Sequence, residues 1–327
     1  MLLTGDCRDI LPTLDAESVD CCVTSPPYWG PRDYGMSNQI GSEDTLAEYI
    51  QCIRKVAKEI YRVLKPDGTF WLNLGDKYSN SSQAGNGDPT LGSKPNGARL
   101  PSPRKMDYPN KCLMLVPARV AISLMDDGWI LRNEIIWAKS NPMPSSAPDR
   151  CTNSHEIIYL FVKQQKYFFD REAISEPAST NDQRPPVGPK GTVGHPNLGT
   201  RNKIGGKKFP GKVSPTYSGN SYVSSGRRNK WDVWTIPTAA SENSQEEIKH
   251  YAKYPEALVR PCILAGCPPG GTVLDPFSGS GTTGKVALDL GRQYIGIELN
   301  PDYVKLSQKR VGNHMQKSLS EVDNACQ

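Results

Sequence analysis

The residues Thr24-Ser25-Pro26-Pro27-Tyr28 are of the types needed to hold a flat ring that carries an amine. An exocyclic amine on cytosine or adenine is a poor nucleophile, because its lone pair is delocalised into the ring. Acceptors placed around its hydrogens favour the pyramidal form that an in-line attack needs. Pro26 and Pro27 fix the backbone and remove donors, so the carbonyl after Ser25 can face the amine, and the Ser25 hydroxyl supplies a second acceptor. Tyr28 is placed to stack on a base turned out of a duplex, an interaction worth about 1–3 kcal/mol. Proton loss can follow the transfer, so this chemistry requires no strong base.

A second constellation lies near the other end of the chain: Asp275-Pro276-Phe277-Ser278-Gly279-Ser280-Gly281-Thr282-Thr283, with Glu298 placed 23 residues after Asp275. Gly279 and Gly281 let the backbone approach a ligand, and a helix starting near Thr282 aims free amides at it. An acid at the end of the following strand can accept hydrogen bonds from both hydroxyls of a ribose. Gly279 to Lys285 also satisfies most of a phosphate loop, but that motif needs Ser or Thr after the lysine, and Val286 follows here. By sign of charge, the Asp275 carboxylate suits a cationic sulfonium with a free amino group better than a triphosphate. The two constellations together point to methyl transfer from S-adenosylmethionine to a base amine.

Alternating strands and helices must position them. Val19–Thr24 reads as a buried strand ended by the prolines, Leu46–Leu64 as a helix stopped by Pro66-Asp67-Gly68, and Thr69–Leu74 as the next strand. A helix over Val116–Met125 follows, then strands Leu131–Ala138 and Glu156–Val162, which resemble the antiparallel edge of a mostly parallel sheet. The carboxyl end reads as helix Tyr254–Ala265, strand Thr272–Asp275, helix Thr282–Leu290, strand Gln293–Glu298 and helix Pro301–Val311. Two stretches interrupt this order. Residues 75–111 are rich in Gly, Asn, Ser and Pro. Residues 183–230 carry ten cations (Arg184, Lys190, Arg201, Lys203, Lys207, Lys208, Lys212, Arg227, Arg228, Lys230) and no Asp or Glu. A solvated linker would account for the second stretch alone. Beside a nucleic-acid-modifying site, phosphate binding is the better reading.

These motifs resemble the amino-methylating DNA methyltransferases of bacteria and their phages. Asp275–Thr283 is similar to their cofactor motif, Gly296-Ile297-Glu298-Leu299-Asn300-Pro301 to their ribose-binding motif, and Thr24–Tyr28 to their catalytic motif. Gly5-Asp6-Cys7-Arg8-Asp9-Ile10-Leu11 resembles a further cofactor segment, with Asp6 and Cys7 near the adenine end. His250–Leu258 resembles the stretch that encloses the methionine part, through Tyr254 and Pro255. Thr24, Leu299 and Asn300 are carried over as cofactor neighbours in the same way. The order of catalytic motif, basic region and cofactor motif matches the family's beta class.

That resemblance implies a Rossmann-like α/β fold with a seven-stranded, mostly parallel sheet, an antiparallel edge strand and a circularly permuted motif order. The implied divisions are a catalytic half over 1–164 with a flexible loop at 79–111, a target-recognition region over 165–235, a cofactor half over 236–315 and a tail over 316–327. Ser25 stands where adenine-specific members usually carry Asp or Asn, which resembles the cytosine-N4 group and leaves adenine-N6 as the alternative. Carbon-5 methylation is disfavoured, because the only Pro-Cys pair, Pro261-Cys262, sits in an apolar helix pattern and reads as core.

The implied partners are double-stranded DNA and, in a restriction–modification setting, a cognate endonuclease; a solitary or phage-borne role and a monomer or homodimer stay open. A net charge of +5 alone would not suggest a polyanion partner; its distribution does. The nine cysteines show no metal spacing and read as free thiols of a reducing cytoplasm, and no stretch resembles a signal peptide or a membrane span. His155-Glu156 either lines the base pocket or simply opens a strand. Trp231 and Trp234, with Val233 and Ile236, are expected to dock the end of the basic region onto the core, and Asn141-Pro142-Met143-Pro144 resembles a family segment near the flipped base.

Overall fold

A computed structural model describes residues 1–30, 39–79, 108–178, 227–239 and 254–312. Its strands are β1 (Leu2–Thr4), β2 (Val19–Thr24), β3 (Leu64–Leu74), β4 (Ile130–Ala138), β5 (His155–Val162), β6 (Glu176–Pro177), β7 (Arg227–Arg228), β8 (Val233–Thr235), β9 (Thr272–Asp275) and β10 (Gln293–Glu298). The helices are α1 (Cys7–Ile10), α2 (Leu46–Val63), α3 (Val116–Asp126), α4 (Glu256–Gly266) and α5 (Thr282–Asp289), followed by α6 over residues 301–312. The loop expected at 79–111 and the first seven cations of the basic stretch fall almost wholly outside the described residues.

All six residues of β2 are buried, as a strand covered on both faces requires. It lies between β9 and β3, parallel to both, in a sheet of order β1-β10-β9-β2-β3-β5-β4-β8. Alternation along the strands feeds two cores. Cys22, Phe70, Leu72, Tyr159 and Phe161 pack with α2 and α3, while Cys21, Val23, Trp71, Leu160 and Val162 pack with α4 and α5. The result is a Rossmann-like, three-layered α/β arrangement. A capping box between Thr45 and Glu48 starts α2 and sets its apolar face, from Leu46 through Val63, against the sheet.

Three departures from the sequence expectation have local causes. Among the described residues the sheet has eight strands, because Val233–Thr235 adds to the outer side of β4 in parallel. Three residues are too few to show a period. The only reversed strand of this sheet among the described residues, β5, lies between β3 and β4, antiparallel to both, and so inside the sheet and not at its edge. The Pro66-Asp67-Gly68 turn proves to be a bulge: β3 already pairs at Leu64 with Val19, and the register shifts before Thr69 meets Cys21. A Cβ at Gly68 would lie 2.8 Å from the Asp20 carbonyl oxygen, so the bulge needs glycine.

Helix α4 begins at Glu256, because Pro255 is its extended N-cap (φ −72°, ψ 149°). Tyr254 is thereby left outside the helix. Of the tryptophans after the basic stretch, Trp234 is buried against α4 and the sheet, whereas the Trp231 ring is exposed and contributes its carbonyl to Trp234 Nε1. Cys262 is a core residue, and all eight described cysteines are free. No helix among the described residues is long and apolar enough to cross a membrane. Residues 175–230 form a second compact unit, of which β6 and β7 are described, paired antiparallel.

The packing of α4 on β3 is tight at Gly266, where a Cβ would lie 2.3 Å from Thr69 Oγ1 and 2.4 Å from Trp71 Nε1. Both neighbours are fully buried. Gly266→Ala is therefore expected to cost about 1–3 kcal/mol in a urea melt; an unchanged midpoint would show that α4 can shift away from the sheet at no cost.

Candidate active site

The carboxyl ends of β2 and β9 lie side by side, and one hydrogen bond joins the two constellations across 251 residues. Thr24 Oγ1 donates to Asp275 Oδ1 at 2.6 Å. The same oxygen accepts from the Phe277 amide at 3.0 Å, while Oδ2 accepts from Thr283 Oγ1 at 2.6 Å and from the Tyr254 hydroxyl at 3.0 Å. Asp275 is 1% exposed, and burial pushes its carboxyl above the ordinary value against the pull of these four donors. The Tyr254 hydroxyl and Thr283 Oγ1 also bond each other, so their two protons serve three contacts and the carboxylate is nearly, not wholly, saturated. What Asp275 offers a ligand is chiefly its negative field, with most of its lone pairs already taken by protein.

Glu298 ends β10 and is fastened twice, Oε2 accepting from the Gly279 amide and Oε1 from the Asn300 amide, each at 2.8 Å. About two acceptor positions remain for a ligand. Burial raises this carboxyl as well, with the Asp275 charge a lesser cause. The glycine-rich turn is shaped by left-handed backbone at Gly279 (φ +52°) and Gly281 (φ +79°). A Cβ on Gly281 would lie 2.3 Å from Ser307 Oγ of α6. Pro276 and Ser278 are buried, with Ser278 Oγ accepting from the Tyr294 hydroxyl at 2.8 Å. Arg310 reaches Ser280 Oγ and Thr282 Oγ1 at 3.3 Å. Asn300 accepts from the Asp302 amide and so caps α6.

Asp6 follows β1 beside Glu298, where the Gly5 amide donates to the Glu298 carbonyl at 2.9 Å. Its carboxylate caps α1 through the Arg8 amide and is gripped by the Arg8 guanidinium; burial acts to raise its pKa, but Arg8 outweighs it and the net direction is down. Cys7 is a packing residue, its thiol pushed up to about 12 by burial. Lys285, which made the turn look like a phosphate loop, points elsewhere, to Glu256 at 2.7 Å and Asp289 at 3.4 Å.

At the Ser-Pro-Pro-Tyr corner the Tyr49 hydroxyl of α2 donates to the Pro27 carbonyl at 3.0 Å, and Lys77 Nζ donates to the Trp29 carbonyl at 3.1 Å. Pro26 and Trp29 are buried; Ser25, Pro27 and Tyr28 are half-buried. The Tyr28 ring lies against Gly75, where a Cβ would come within 2.6 Å of Cε2. Its hydroxyl donates to Glu156 Oε2 at 2.7 Å, has Asn73 Oδ1 at 3.3 Å, and receives a long bond from Ser25 Oγ at 3.5 Å. Glu156 is in turn paired with Lys139 at 2.6 Å.

The sequence reading had no role for Asn73 or Lys139 and left His155-Glu156 undivided. The structure divides that pair, for His155 is exposed and Glu156 turns to the corner. Asn73 carried one signal, as the only polar side chain between Phe70 and Leu74.

Of the ten cations assigned to DNA binding, Arg184, Lys190, Arg201, Lys203, Lys207, Lys208 and Lys212 lie outside the described residues. Within the unit 175–230, Arg228 and Lys230 both close on Glu176, at 3.2 and 2.6 Å, and Arg227 bonds Ser175. Part of their charge is therefore offset by an acid just outside the acid-free stretch.

Residues 19–309 match the family described as DNA methylase. The chain belongs to this DNA methylase family. It is 39% identical to the type II methyltransferase M.SmaI of Serratia marcescens, over 95% of this chain and 90% of that protein. Among solved structures, the PvuII DNA methyltransferase, named as cytosine-N4-specific, aligns with a TM-score of 0.61 at 20% identity over 95% of this chain and 85% of that one. A putative DNA modification methylase from Thermus thermophilus, solved with S-adenosyl-L-methionine, aligns with a TM-score of 0.57 at 20% identity over 96% and 93%. At that identity the two structures speak for the fold of the methylase.

Burial holds the Asp275 and Glu298 carboxyls above their ordinary 3.8 and 4.5. The unfolded chain gives up these protons at lower pH than the folded methylase, so the stability each group contributes is lost as pH rises from its ordinary value through its raised one. In urea melts at about pH 4 and about pH 7.5, the stability of Glu298→Gln relative to wild type should therefore move in the variant's favour as pH rises. A gap that does not change with pH contradicts this.

Proposed function

We propose that this DNA methylase transfers a methyl group from S-adenosylmethionine to the exocyclic N4 amine of cytosine in duplex DNA, at a specific sequence. The observation that carries the reading is the Thr24–Asp275 bond, which makes the amine-holding corner and the glycine-rich turn parts of one rigid unit. The cofactor's chemistry fits the turn. Two buried carboxylates favour a cation, the positive-φ glycines allow close approach, and the lysine that a triphosphate would need is engaged elsewhere.

When bound, S-adenosylmethionine supplies a methyl group made electrophilic by its sulfonium. Glu298 would receive the ribose hydroxyls on its remaining lone pairs, and Asp6 and Cys7 would border the adenine end. Tyr254, Pro255 and the turn from Pro276 to Thr283 would enclose the rest, with Leu299 beside the ribose. At the corner, Ser25 and the adjoining carbonyl accept from the amine hydrogens, and Tyr28 stacks on the ring. The lone pair so exposed would face the methyl group, which the cofactor would give up from sulfur with the bonding pair left on the thioether, and the surplus amine proton would leave to solvent.

Serine supports the cytosine reading over the adenine-N6 alternative, because it is a smaller acceptor than the Asp or Asn usual in adenine-specific members of the family it resembles, and unlike Asp it is neutral. The basic stretch, with Arg227, Arg228 and Lys230 at its end, is proposed to bind the DNA backbone and to carry target recognition. The relative at 39% identity is named a type II methyltransferase, which supports a role beside a restriction endonuclease.

Purified protein should move labelled methyl from the cofactor onto unmethylated duplex DNA, and nucleoside mass spectrometry should find N4-methylcytosine. N6-methyladenine would transfer the assignment to the alternative base, and no transfer to DNA would overturn the reading. Ser25→Ala should lower kcat by about ten- to a hundredfold while cofactor affinity holds in calorimetry, since the neighbouring carbonyl acceptor remains.

A further inference from the structure

Glu156 and Lys139 belong to none of the motifs used above, yet they close the corner. Glu156 is in β5 and Lys139 follows β4, and the pairing of Trp137 with Glu156 and of Ala138 with His155 brings them to the same end of the sheet. Lys139 Nζ lies 2.6 Å from Glu156 Oε1 and 5.0 Å from the Trp137 ring centroid. Their side chains are only 21% and 15% exposed. The second carboxylate oxygen, Oε2, takes the Tyr28 hydroxyl at 2.7 Å, and Ser25 Oγ lies 3.5 Å behind that hydroxyl.

Counting protons gives this chain a direction. An ionised carboxylate offers only acceptors and an ammonium only donors. Glu156 thus takes one hydrogen bond from Lys139 and another from Tyr28, whose single proton is then committed. Burial, with the Glu156 charge next, pushes the Tyr28 phenol well above its ordinary value, so it keeps that proton at neutral pH. Asn73 Oδ1, at 3.3 Å, competes for the same proton from farther away. It cannot reverse the chain, because its Nδ2 is held by the Ile157 carbonyl at 3.1 Å. The Tyr28 oxygen is left to accept, and Ser25 is the hydroxyl that gives to it.

We propose that Glu156, anchored by Lys139, is a positioning residue that fixes the direction of the Ser25–Tyr28–Glu156 hydrogen-bond chain, so that the Ser25 hydroxyl meets the target amine as an acceptor. The inference rests on the amine-methylation reading of this corner. Were a donor to replace the carboxylate, Tyr28 could turn its proton toward Ser25. Ser25 could then donate to the amine nitrogen and occupy the lone pair that must attack.

Glu156→Gln keeps the shape and supplies that donor. On unmethylated genomic DNA its kcat should fall by about ten- to a hundredfold, while cofactor Kd and KM for DNA stay within about twofold of wild type. Tyr28→Phe keeps the stacking ring and removes the chain, so adding Glu156→Gln to it should change kcat by less than about twofold. Lys139→Met removes the anchor alone and should show the same dependence on Tyr28. A Glu156→Gln enzyme with wild-type kcat overturns the proposal, as does a loss of equal size in the Tyr28 and Phe backgrounds. Failure of the wild type itself to methylate DNA would strike the parent reading, before any variant is compared.

Discussion

The Asp275 carboxylate, 1% exposed and surrounded by four donors, is the constraint from which the site's geometry follows. A buried acid that loses a partner costs about 1–3 kcal/mol per unmet bond, so each donor is held in place by the others' need. Those donors come from the end of β2, the residue before α4's cap, the turn and the first turn of α5. Four chain segments are thus fixed to one atom group at the carboxyl edge of the sheet. The Ser-Pro-Pro-Tyr corner and the glycine-rich turn inherit their spacing from it, as the proposed reaction between two separately bound molecules demands.

The same constraint explains why the motif order can be permuted without harm. Beside the Thr24–Asp275 bond, β2 and β9 are adjacent parallel strands, paired at Cys21–Val273 and Cys22–Leu274. Neither contact depends on which strand comes first in the chain. The amino-terminal β1 joins the sheet on the far side of β10, with Leu2 to Thr4 in register with Gly296 to Glu298. Gly5, just before Asp6, therefore meets the Glu298 carbonyl from the opposite end of the sequence. Strand pairing, with no long connecting segment, carries the geometry.

Legibility from sequence followed the range of the interactions. Strands β2, β9 and β10 were readable to the residue because each is a short, mostly apolar run closed by an acid or by prolines. Asp275, Glu298 and the glycines announced themselves by local spacing. By contrast β8 has three residues, and the Gly68 bulge looks locally like any turn; what settles it is the Asp20 carbonyl opposite. The partners of Tyr28 beyond the corner lie 45 and 128 residues away, and no local pattern encodes them. Asp275 shows the limit from the other side. Its position was readable, but not that protein donors had already taken most of its lone pairs.

The Lys139–Glu156 pair is the arrangement that stability alone explains least. A partly buried ion pair returns little net energy after desolvation, and an apolar pair of similar volume often does as well or better. An apolar replacement would, however, leave the Tyr28 hydroxyl with only the more distant Asn73 oxygen, and its proton free to point either way. A neutral hydrogen-bonding side chain would fill the space but leave donor and acceptor interchangeable. Among these choices only a carboxylate takes a proton without returning one, and the Lys139 ammonium beside it pairs with its charge in so enclosed a place. The pair is therefore better understood as setting a polarity at the sheet edge than as supplying energy to the fold.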